Sequence, residues 1–374
     1  MGKVASVYVH IPFCRSKCGY CDFASFASIE HLYEDYVRAL TEEIRRSPRF
    51  SADTVYFGGG TPSLLPVEMT SSIMAAVRKR FQIQKDAEIT LEANPATVSA
   101  TGLATLKSIG INRLSVGVQS FDTKTLEMLG RDYRPKDAVE AVEAARKAGF
   151  INLSVDIMTA IPQQTKASMI SDLKRAMEFQ PEHLSVYQLT LHEESPMQKE
   201  LAYKAHKMPG GDVQTDFYET AIEFLADNGY RHYEISNFAK PGKECRHNLA
   251  AWLGGEYLGV GSGAHSFLQK RRFANPKKPE DYIRPVANGG GSPRELTCEP
   301  KDQLIEYLLM RLRLVDRKVN FSEINEKFGV DFGRLYKEQI EELGDNNFLA
   351  VNNGGFKLTR KGLLFLNNVL LEFI

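Results

Sequence analysis

The feature that most constrains the fold is a repeated alternation of strand-like and helix-like segments over the first half of the chain. Short runs rich in β-branched residues are separated by longer runs whose apolar residues recur at helical spacing. Six strand-like runs begin at Val4, Thr54, Glu88, Arg113, Asn152 and Leu184. The helical runs between them cover Glu34–Arg46, Met69–Phe81, Ser99–Ile109, Thr125–Leu129, Lys136–Ala148 and Lys166–Phe179. This alternation predicts an α/β fold with a parallel sheet built from βα units.

Polar and glycine-rich motifs stand where the predicted strands end. A turn at Gly58–Pro62 follows the second strand, Glu92 lies at the end of the third, and Gln119 follows the fourth. Asp156 lies in the fifth strand. Because active sites of parallel βα barrels gather at the carboxyl ends of the strands, we expect these residues to share one mouth. Glycine carries no Cβ, so the turn would let the backbone approach a ligand closely.

The loop after the first strand carries a dense group of thiols. Cys14, Cys18 and Cys21 are three of the five cysteines in the chain. Several cysteines on one loop typically hold an iron–sulfur cluster, and three of them would leave the fourth iron of a four-iron cluster open for chemistry. Zinc is the alternative, since His10 or Cys245 could complete a tetrahedral set of four ligands. The odd cysteine count argues against a disulfide framework and for a reducing, cytoplasmic compartment.

Composition and hydropathy exclude two classes of partner. The chain has 47 basic and 47 acidic residues, whereas nucleic-acid binders usually carry a basic excess, so no nucleic-acid partner is expected. The mixed charge of the Arg334–Leu343 helical run agrees with this, because affinity for DNA depends on neutralising phosphates. No window approaches about 18 consecutive apolar residues, so no transmembrane helix is predicted.

The second half of the chain departs from the βα pattern. Residues 236–300 predict a glycine-rich connecting region, with loops or a linker at Lys270–Pro279, and residues 301–374 predict a separate winged-helix-like module. That module has helical runs, a strand-like pair around Phe348–Val351 and Gly355–Leu358, and a final helix at Lys361–Glu372. Residues 1–235 would then form the barrel-like domain. Five basic residues of the connecting region form a solvated loop or meet an anionic ligand or acidic partner: Lys270, Arg271, Arg272, Lys277 and Lys278.

The CxxxCxxC spacing resembles the signature of the radical S-adenosylmethionine (SAM) superfamily. Further motifs resemble the oxygen-independent coproporphyrinogen III oxidase group over nearly the whole chain: YVHIPFC (Tyr8–Cys14), GGGTPS (Gly58–Ser63), EANP (Glu92–Pro95), GVQSF (Gly117–Phe121), LGR (Leu129–Arg131) and the strand with Asp156. The oxidase of that group has a fourth cysteine two residues after the third, where this chain has Phe23. With His247, Asn248 and Trp252 left from an HNxxYW motif, the chain is similar to the HemW-type heme chaperones of the group.

This resemblance implies a radical SAM partial (β/α)6 barrel with a C-terminal winged-helix-like domain. It implies three bound groups, a [4Fe–4S] cluster, SAM and heme, and the transfer of heme to apo-proteins of respiration. The implied alternative is the oxidase itself, which removes the propionate carboxyls of coproporphyrinogen III by radical chemistry. Whether the chain is an enzyme therefore stays open, and no catalytic residue is assigned. The resemblance is compatible with a monomer or a dimer, and with peripheral membrane association through partners.

The resemblance also assigns roles to residues. Cys14, Cys18 and Cys21 would ligate the cluster. The SAM pocket would be lined by Tyr8, Tyr20, Gly59, Gly60, Thr61, Glu92, Gln119, Arg131 and Asp156. His247 would be the axial ligand of heme, with Cys245 as the competing thiolate, His265 as a second choice, and a plain loop hydrogen bond under Trp252 as the alternative role. The sequence departs from the family pattern at three places: Ala251 replaces the tyrosine of HNxxYW, Tyr133 replaces a histidine, and Ala160-Ile161-Pro162 replaces Gly-Leu-Pro.

Overall fold

A computed structural model of the chain describes residues 4–193, 195–203, 207–287, 290, 293–297 and 299–374. The connecting region is therefore described only in part. The strands of the chain within the described ranges are β1 (Val4–Ile11), β2 (Phe13–Cys14), β3 (Phe26–Ala27), β4 (Ser51–Gly59), β5 (Gln82–Ala93), β6 (Arg113–Gln119), β7 (Leu153–Thr159), β8 (His183–Gln188), β9 (Arg231–Glu234), β10 (Asn237–Ala239), β11 (Tyr257–Val260), β12 (His265–Leu268), β13 (Arg271–Ala274), β14 (Arg294–Leu296), β15 (Val319–Asn320), β16 (Leu349–Asn352) and β17 (Gly355–Leu358).

The helices in the same ranges are α1 (Tyr33–Arg46), α2 (Val67–Arg80), α3 (Ala100–Ser108), α4 (Thr123–Met128), α5 (Pro135–Lys147), α6 (Lys166–Met177), α7 (Pro196–Tyr203), α8 (Gly211–Asp227), α9 (Arg246–Trp252), α10 (Pro279–Ala287), α11 (Pro300–Leu312), α12 (Phe321–Phe328), α13 (Phe332–Leu335), α14 (Lys337–Asp345), α15 (Arg360–Leu364) and α16 (Leu366–Leu371). The six helices predicted between strands correspond to α1–α6, with ends within two residues of those expected. No helix of the described part is long and apolar enough to cross a membrane.

The main sheet has its parallel strands in the order β11, β1, β4, β5, β6, β7, β8. Six of these are the predicted strands, so the α/β class and the parallel arrangement are confirmed. Antiparallel strands extend the sheet at both edges, with β12–β14 beyond β11, and β10 and β9 beyond β8. The barrel is therefore partial, and helices α1–α6 connect its consecutive strands.

The glycine-rich connecting region contributes more structure than its sequence indicated. Strand β11 lies within the Gly254–Gly263 run and pairs in parallel with β1, from Ser6 opposite Tyr257 to Val9 opposite Val260. The expectation of a loop at Lys270–Pro279 is wrong at one end, because β13 occupies Arg271–Ala274. A glycine-rich, polar pattern does not predict these strands, since each gains its order from its neighbours in the sheet: β11 pairs with β1, and β13 pairs with β12 and β14. The domain boundaries at residues 235 and 300 stay a prediction.

Side chains alternate along the parallel strands in a way that leaves the inside of the barrel polar. Along β6, for example, Leu114, Val116 and Val118 are buried in the main hydrophobic core, whereas Ser115 and Gly117 line a cavity. The same alternation holds along β7, where Val155 lies in the core and Asp156 faces the cavity. Parallel strands covered on both faces usually read as continuous apolar runs. A polar inner face therefore marks this barrel as a container for a ligand.

The C-terminal residues form a second core around α11–α16 and a three-stranded sheet in the order β15, β17, β16. The strand pair predicted near Phe348–Val351 and Gly355–Leu358 is present as the antiparallel pair β16 and β17. The single final helix predicted at Lys361–Glu372 is instead two short helices, α15 and α16, because the backbone at Phe365 between them leaves the helical region (φ −116°, ψ 31°).

Candidate functional site

The carboxyl ends of the parallel strands open into a cavity of about 460 Å³. Most of the residues singled out from the sequence line it: Cys14, Cys18, Tyr20, Cys21, Gly59, Gly60, Thr61, Glu92, Gln119, Arg131 and Asp156. They come from the cysteine loop, from four strand ends and from the loop after α4. Residues more than 140 positions apart in sequence thus meet in one space because parallel strands end at the same edge. Tyr8 and His247 are not part of the cavity wall.

The cysteine loop is closed at its base by a short pair of parallel strands. Phe13 of β2 lies opposite Phe26 of β3, and the Phe26 N–H donates to the Pro12 carbonyl at 2.7 Å. Inside the loop, the Lys17 ammonium donates to the carbonyls of Phe23 and Ser25, each at 3.3 Å. These bonds hold the loop between β2 and β3 compact, and Cys14, Cys18 and Cys21 line the cavity.

The glycine turn after β4 packs directly against the base of the cysteine loop. The Gly60 N–H donates to the Ile11 carbonyl at 2.8 Å, and the Thr61 N–H donates to the Phe13 carbonyl at 2.7 Å. A Cβ on Gly60 would lie 2.6 Å from the Phe13 oxygen. At Gly59, where φ is +115°, a Cβ would meet the His10 ring at 2.6 Å. Close approach to the cysteine loop therefore requires these glycines, independently of any approach to a ligand.

Two buried carboxyl groups face the cavity. Glu92 accepts hydrogen bonds from the Tyr56 hydroxyl at 2.7 Å and the Gly59 N–H at 3.3 Å. Asp156 accepts from the hydroxyls of Ser115 at 3.0 Å and Ser154 at 3.3 Å. Burial raises the pKa of Glu92 to about 7 and that of Asp156 to about 6 despite these bonds. Within the described residues neither carboxylate forms an ion pair, so both are available to a cationic or hydroxyl-bearing ligand.

The guanidinium of Arg131 also lines the cavity. Arg131 lies over the rings of Tyr20 and Tyr133, 5.9 and 5.8 Å from their centroids. Its Nε is buried and has no hydrogen-bond partner in the described part of the chain. The Tyr133 hydroxyl donates to the carbonyls of Gly117 and Val118, each at 2.8 Å, and so braces the end of β6 beneath the guanidinium. Tyr133 is thus a packing and positioning residue where the family has histidine.

Sequence reasoning missed two tyrosines of the site. Tyr56 donates to Glu92 as described, and Tyr187 donates to the Gln119 side-chain oxygen at 2.7 Å. Gln119 itself, the last residue of β6, has φ +62°, an uncommon conformation for a residue with a side chain. The available signal was the alternation of polar side chains along β4 and β8, because polar residues on the inner face of a parallel strand indicate a lined cavity.

His247 lies behind the cavity wall. Its Nδ1 is 2.8 Å from the Thr54 hydroxyl, and its ring centroid is 5.0 Å from that of Tyr56 and 6.2 Å from that of Tyr8. Burial lowers the pKa of His247 to about 3, so the ring is neutral. The helix it belongs to, α9, is capped by Glu88, whose Oε1 accepts from the Arg246 N–H at 2.9 Å. The role of His247 toward heme stays a prediction.

His10, a candidate fourth zinc ligand, is engaged elsewhere. Its Nε2 is 2.9 Å from the Ala24 carbonyl and its Nδ1 is 3.1 Å from the Tyr8 hydroxyl, so Nε2 donates to the carbonyl and Nδ1 accepts from Tyr8. Within the described residues no group of three or more His, Cys, Asp or Glu side chains is close enough to hold a metal ion as it stands. The donor set at the cavity, three thiols with one open guanidinium and two unpaired carboxyls, fits a cluster bound together with an amino-acid ligand.

Family comparisons agree with this arrangement. The model of the radical SAM superfamily matches residues 8–176, which span the cysteine loop and strands β1 to β7. The model of the HemN C-terminal domain matches residues 298–365. The structure is similar to that of the Escherichia coli protein described as "Coproporphyrinogen III oxidase (HemN)", with a TM-score of 0.86 and 26% identity over 100% of this chain and 90% of that one. The partial-barrel fold with its C-terminal domain is thereby confirmed.

Curated relatives are similar over their full length. The protein named heme chaperone HemW of Lactococcus lactis is 33% identical over 372 residues, which cover 100% of this chain and 98% of the relative. The Escherichia coli protein of the same name is 33% identical over 384 residues, covering 99% of this chain and 98% of the relative. Full-length similarity at this level, together with the radical SAM and C-terminal matches, confirms the resemblance seen in the motifs: the chain belongs to the HemW heme chaperone family of the radical SAM superfamily.

Proposed function

We propose that this chain is a heme chaperone that holds a [4Fe–4S] cluster, binds SAM beside it, and binds heme for transfer to acceptor apo-proteins. One observation carries the first part: three thiols of a single loop share a cavity of about 460 Å³ with two unpaired carboxyls and an open guanidinium. The relatives named as heme chaperones support the heme part. When bound, the reduced cluster would supply one electron to the sulfonium of SAM.

In this proposal Cys14, Cys18 and Cys21 ligate three irons, and the residues of the cavity wall hold SAM. Arg131 is suited to pair with the SAM carboxylate, because its buried Nε–H has no protein partner in the described part of the chain. Glu92 and Asp156 are suited to accept hydrogen bonds from the ammonium and the ribose hydroxyls. Tyr20, Gln119 and the Gly59–Thr61 turn shape the pocket.

Tyr8 would act on the ligand through other residues, without touching it. Its ring stacks on Tyr56 with centroids 6.2 Å apart, and its hydroxyl donates to His10. Tyr56 in turn donates to Glu92. Tyr8 is therefore proposed as a positioning residue for the carboxyl group rather than as a residue that touches SAM.

The cluster assignment is tested by anaerobic reconstitution with iron and sulfide, followed by absorption and electron paramagnetic resonance spectroscopy. We expect wild type to show the broad visible absorbance of a cluster and Cys14→Ala to lose it, because only two thiolates remain on the loop. Cys245→Ala is the matched control: Cys245 also lines the cavity, but its sulfur lies 3.7 Å from Glu88 Oε1 and is not part of the cysteine loop, so its loss should leave the cluster intact. Loss of the cluster in this variant would instead make Cys245 a ligand. An unchanged spectrum in Cys14→Ala, or zinc without sulfide in wild type, would refute the assignment.

The heme assignment is tested by titrating the cluster-loaded protein with heme and by mixing the loaded protein with an apo-hemoprotein. Saturable binding and transfer are expected. His247→Ala measures whether His247 is the axial ligand, and unchanged heme spectra in that variant would remove it from the site. Acceptors of the respiratory chain, a cytoplasmic location with membrane association through those acceptors, and a monomeric or dimeric state belong to the same proposal.

The oxidase alternative is not favoured. The position of the oxidase's fourth cysteine carries Phe23, a residue of the cysteine loop that is 64% exposed and lines the cavity. The curated relatives with full-length similarity include heme chaperones from several bacteria. Anaerobic incubation with coproporphyrinogen III and SAM, followed by pigment analysis, separates the two functions. Protoporphyrinogen as a product would overturn the chaperone proposal in favour of the oxidase.

A further inference from the structure

A second cavity of about 580 Å³ lies between the antiparallel edge of the main sheet and the C-terminal helices. It shares no lining residue with the cavity at the cysteine loop. Its walls carry aromatic side chains from both parts of the chain: Tyr257 and Phe267 from β11 and β12, and Tyr307 and Phe328 from α11 and α12. The volume is that of a pocket for an organic ligand, and the lining suits a flat apolar one.

Cations outnumber anions at this cavity. Its lining includes four basic residues (Lys270, Arg271, Arg272 and Lys327) and two acidic ones (Glu295 and Glu306). The two acids are already used, because Arg271 pairs with Glu295 at 3.4 Å and Arg272 pairs with Glu306 at 2.7 Å. In the described part of the chain neither lysine forms an ion pair. Two positive charges thus remain for a ligand to neutralise.

Lys327 lies close to the aromatic walls. The Lys327 ammonium lies 4.7 Å from the Tyr307 ring centroid. The pKa of Lys327 is lowered by its partial burial and then by the nearby charges of Arg311 and Lys270. An anion placed among these cations would relieve that repulsion. The opposite wall includes Arg272, which lies over Phe267 at 4.3 Å.

Small residues keep the space between the walls open. Ala251 of α9 lines the cavity at the position where the HNxxYW motif has tyrosine. Gly254, with φ +72°, also lines it, and a Cβ there would lie 3.6 Å from the Lys327 ammonium. Larger side chains at these two positions would occupy space that now separates the aromatic walls from the helix α9.

We propose that this second cavity is the heme site, with the porphyrin plane against the aromatic walls and the two propionates paired with Lys270 and Lys327. A planar, apolar dicarboxylate is the ligand chemistry that matches both the aromatic lining and the two unbalanced charges. The inference rests on the proposed chaperone function, which supplies heme as the cargo. It assigns Lys270 of the basic run to ligand binding, and it separates the heme site from the cluster and SAM.

The test compares hemin with hemin dimethyl ester, whose propionates carry no charge, on the full chain loaded with its cluster. Binding is measured by absorbance titration in one detergent-containing buffer. The variant is Lys270→Glu combined with Lys327→Glu. The matched control is Lys85→Glu combined with Lys357→Glu, two exposed lysines that do not line this cavity. Cluster absorbance serves as the readout of correct folding.

We expect wild type to bind hemin more tightly than the ester by on the order of tenfold or more, as the loss of charge-assisted contacts predicts. The cavity variant should lose on the order of tenfold to a hundredfold in hemin affinity while its affinity for the ester changes little. The control should match wild type for both ligands.

Four outcomes would overturn the assignment. Unchanged hemin affinity in the cavity variant would move the heme site elsewhere and leave the chaperone function standing. Equal losses for hemin and the ester, or equal losses in the control, would refute pairing of the propionates with these lysines. Absence of saturable hemin binding by cluster-loaded wild type would overturn the chaperone proposal together with the site.

Discussion

Replacing Glu92 with glutamine should stabilise the empty protein at neutral pH. Glu92 accepts hydrogen bonds from Tyr56 and Gly59, yet burial raises its pKa from 4.5 to about 7. A carboxyl whose pKa is higher in the folded state contributes its full stability below the unfolded-state pKa and loses it as pH rises toward the folded-state value. At pH 8 the ionised carboxylate therefore works against folding, and a neutral amide removes that cost.

The magnitude follows from the pKa difference. The change from 4.5 to about 7 corresponds to at most about 3 kcal/mol. The side chain borders a cavity that water can enter, so screening reduces this figure and we expect about 1–3 kcal/mol. Glutamine has the same shape and can keep both contacts, with its oxygen accepting from the Gly59 N–H and its amide donating to the Tyr56 oxygen.

The assay is urea denaturation of cluster-free protein at pH 5 and pH 8. The stabilisation of Glu92→Gln over wild type should grow by about 1–2 kcal/mol between the two, because wild-type Glu92 is protonated in the folded state at the lower pH. Glu127→Gln, an exposed glutamate of α4, is the control and should show no such growth. Equal free energies of unfolding for Glu92→Gln and wild type at both pH values would refute the reasoning that burial raises this pKa.

Two further predictions concern the ligand pocket and the loop that frames it. SAM affinity of the cluster-loaded protein should fall, by up to about tenfold, as pH drops from 8 to 6, because Glu92 and Asp156, with pKa values of about 7 and 6, lose negative charge beside the bound cation. Isothermal titration should show a flatter profile for Glu92→Gln, because Glu92 makes most of its change in charge within this range; a profile as steep as that of wild type would contradict its role. Gly60→Ala should lower the free energy of unfolding in urea by about 2–4 kcal/mol and reduce cluster incorporation, since the new Cβ would lie 2.6 Å from the Phe13 carbonyl oxygen. Gly211→Ala is the control and should do neither, because a Cβ there has nothing within 4 Å. Full cluster content in Gly60→Ala would show that the turn can move away from the loop.

These predictions share one physical feature of the barrel. Its inner face is polar, and burial raises the pKa of at least two of its carboxyl groups, Glu92 and Asp156. Buried groups with shifted pKa values are common where a protein binds or reacts with a ligand, because the ligand supplies the missing partner. The empty protein is accordingly less stable than an apolar barrel would be, and a cationic ligand should restore the difference.

Local patterns in the sequence determined the parallel α/β fold, the helices α1–α6 and the location of the cysteine loop. Apolar residues at helical spacing and short β-branched runs are local patterns, so they can be recognised without knowledge of the rest of the chain. The expectation that Glu92, Gln119 and Asp156 share one mouth with the cysteine loop followed from the parallel order of their strands, since such strands end at a common edge.

Only the tertiary structure decided features that depend on partners far away in sequence. Strand β11 lies in a glycine-rich run and becomes a strand by pairing with β1, about 250 residues earlier. His247 and Asp156 are both polar residues in apparent site motifs, yet His247 packs behind the wall against Thr54 while Asp156 faces the cavity. The aromatic walls around Lys270 and Lys327 likewise come from two separate parts of the chain. Burial, and with it the pKa of a carboxyl or imidazole, is set by such long-range packing, which spacing along the chain does not encode.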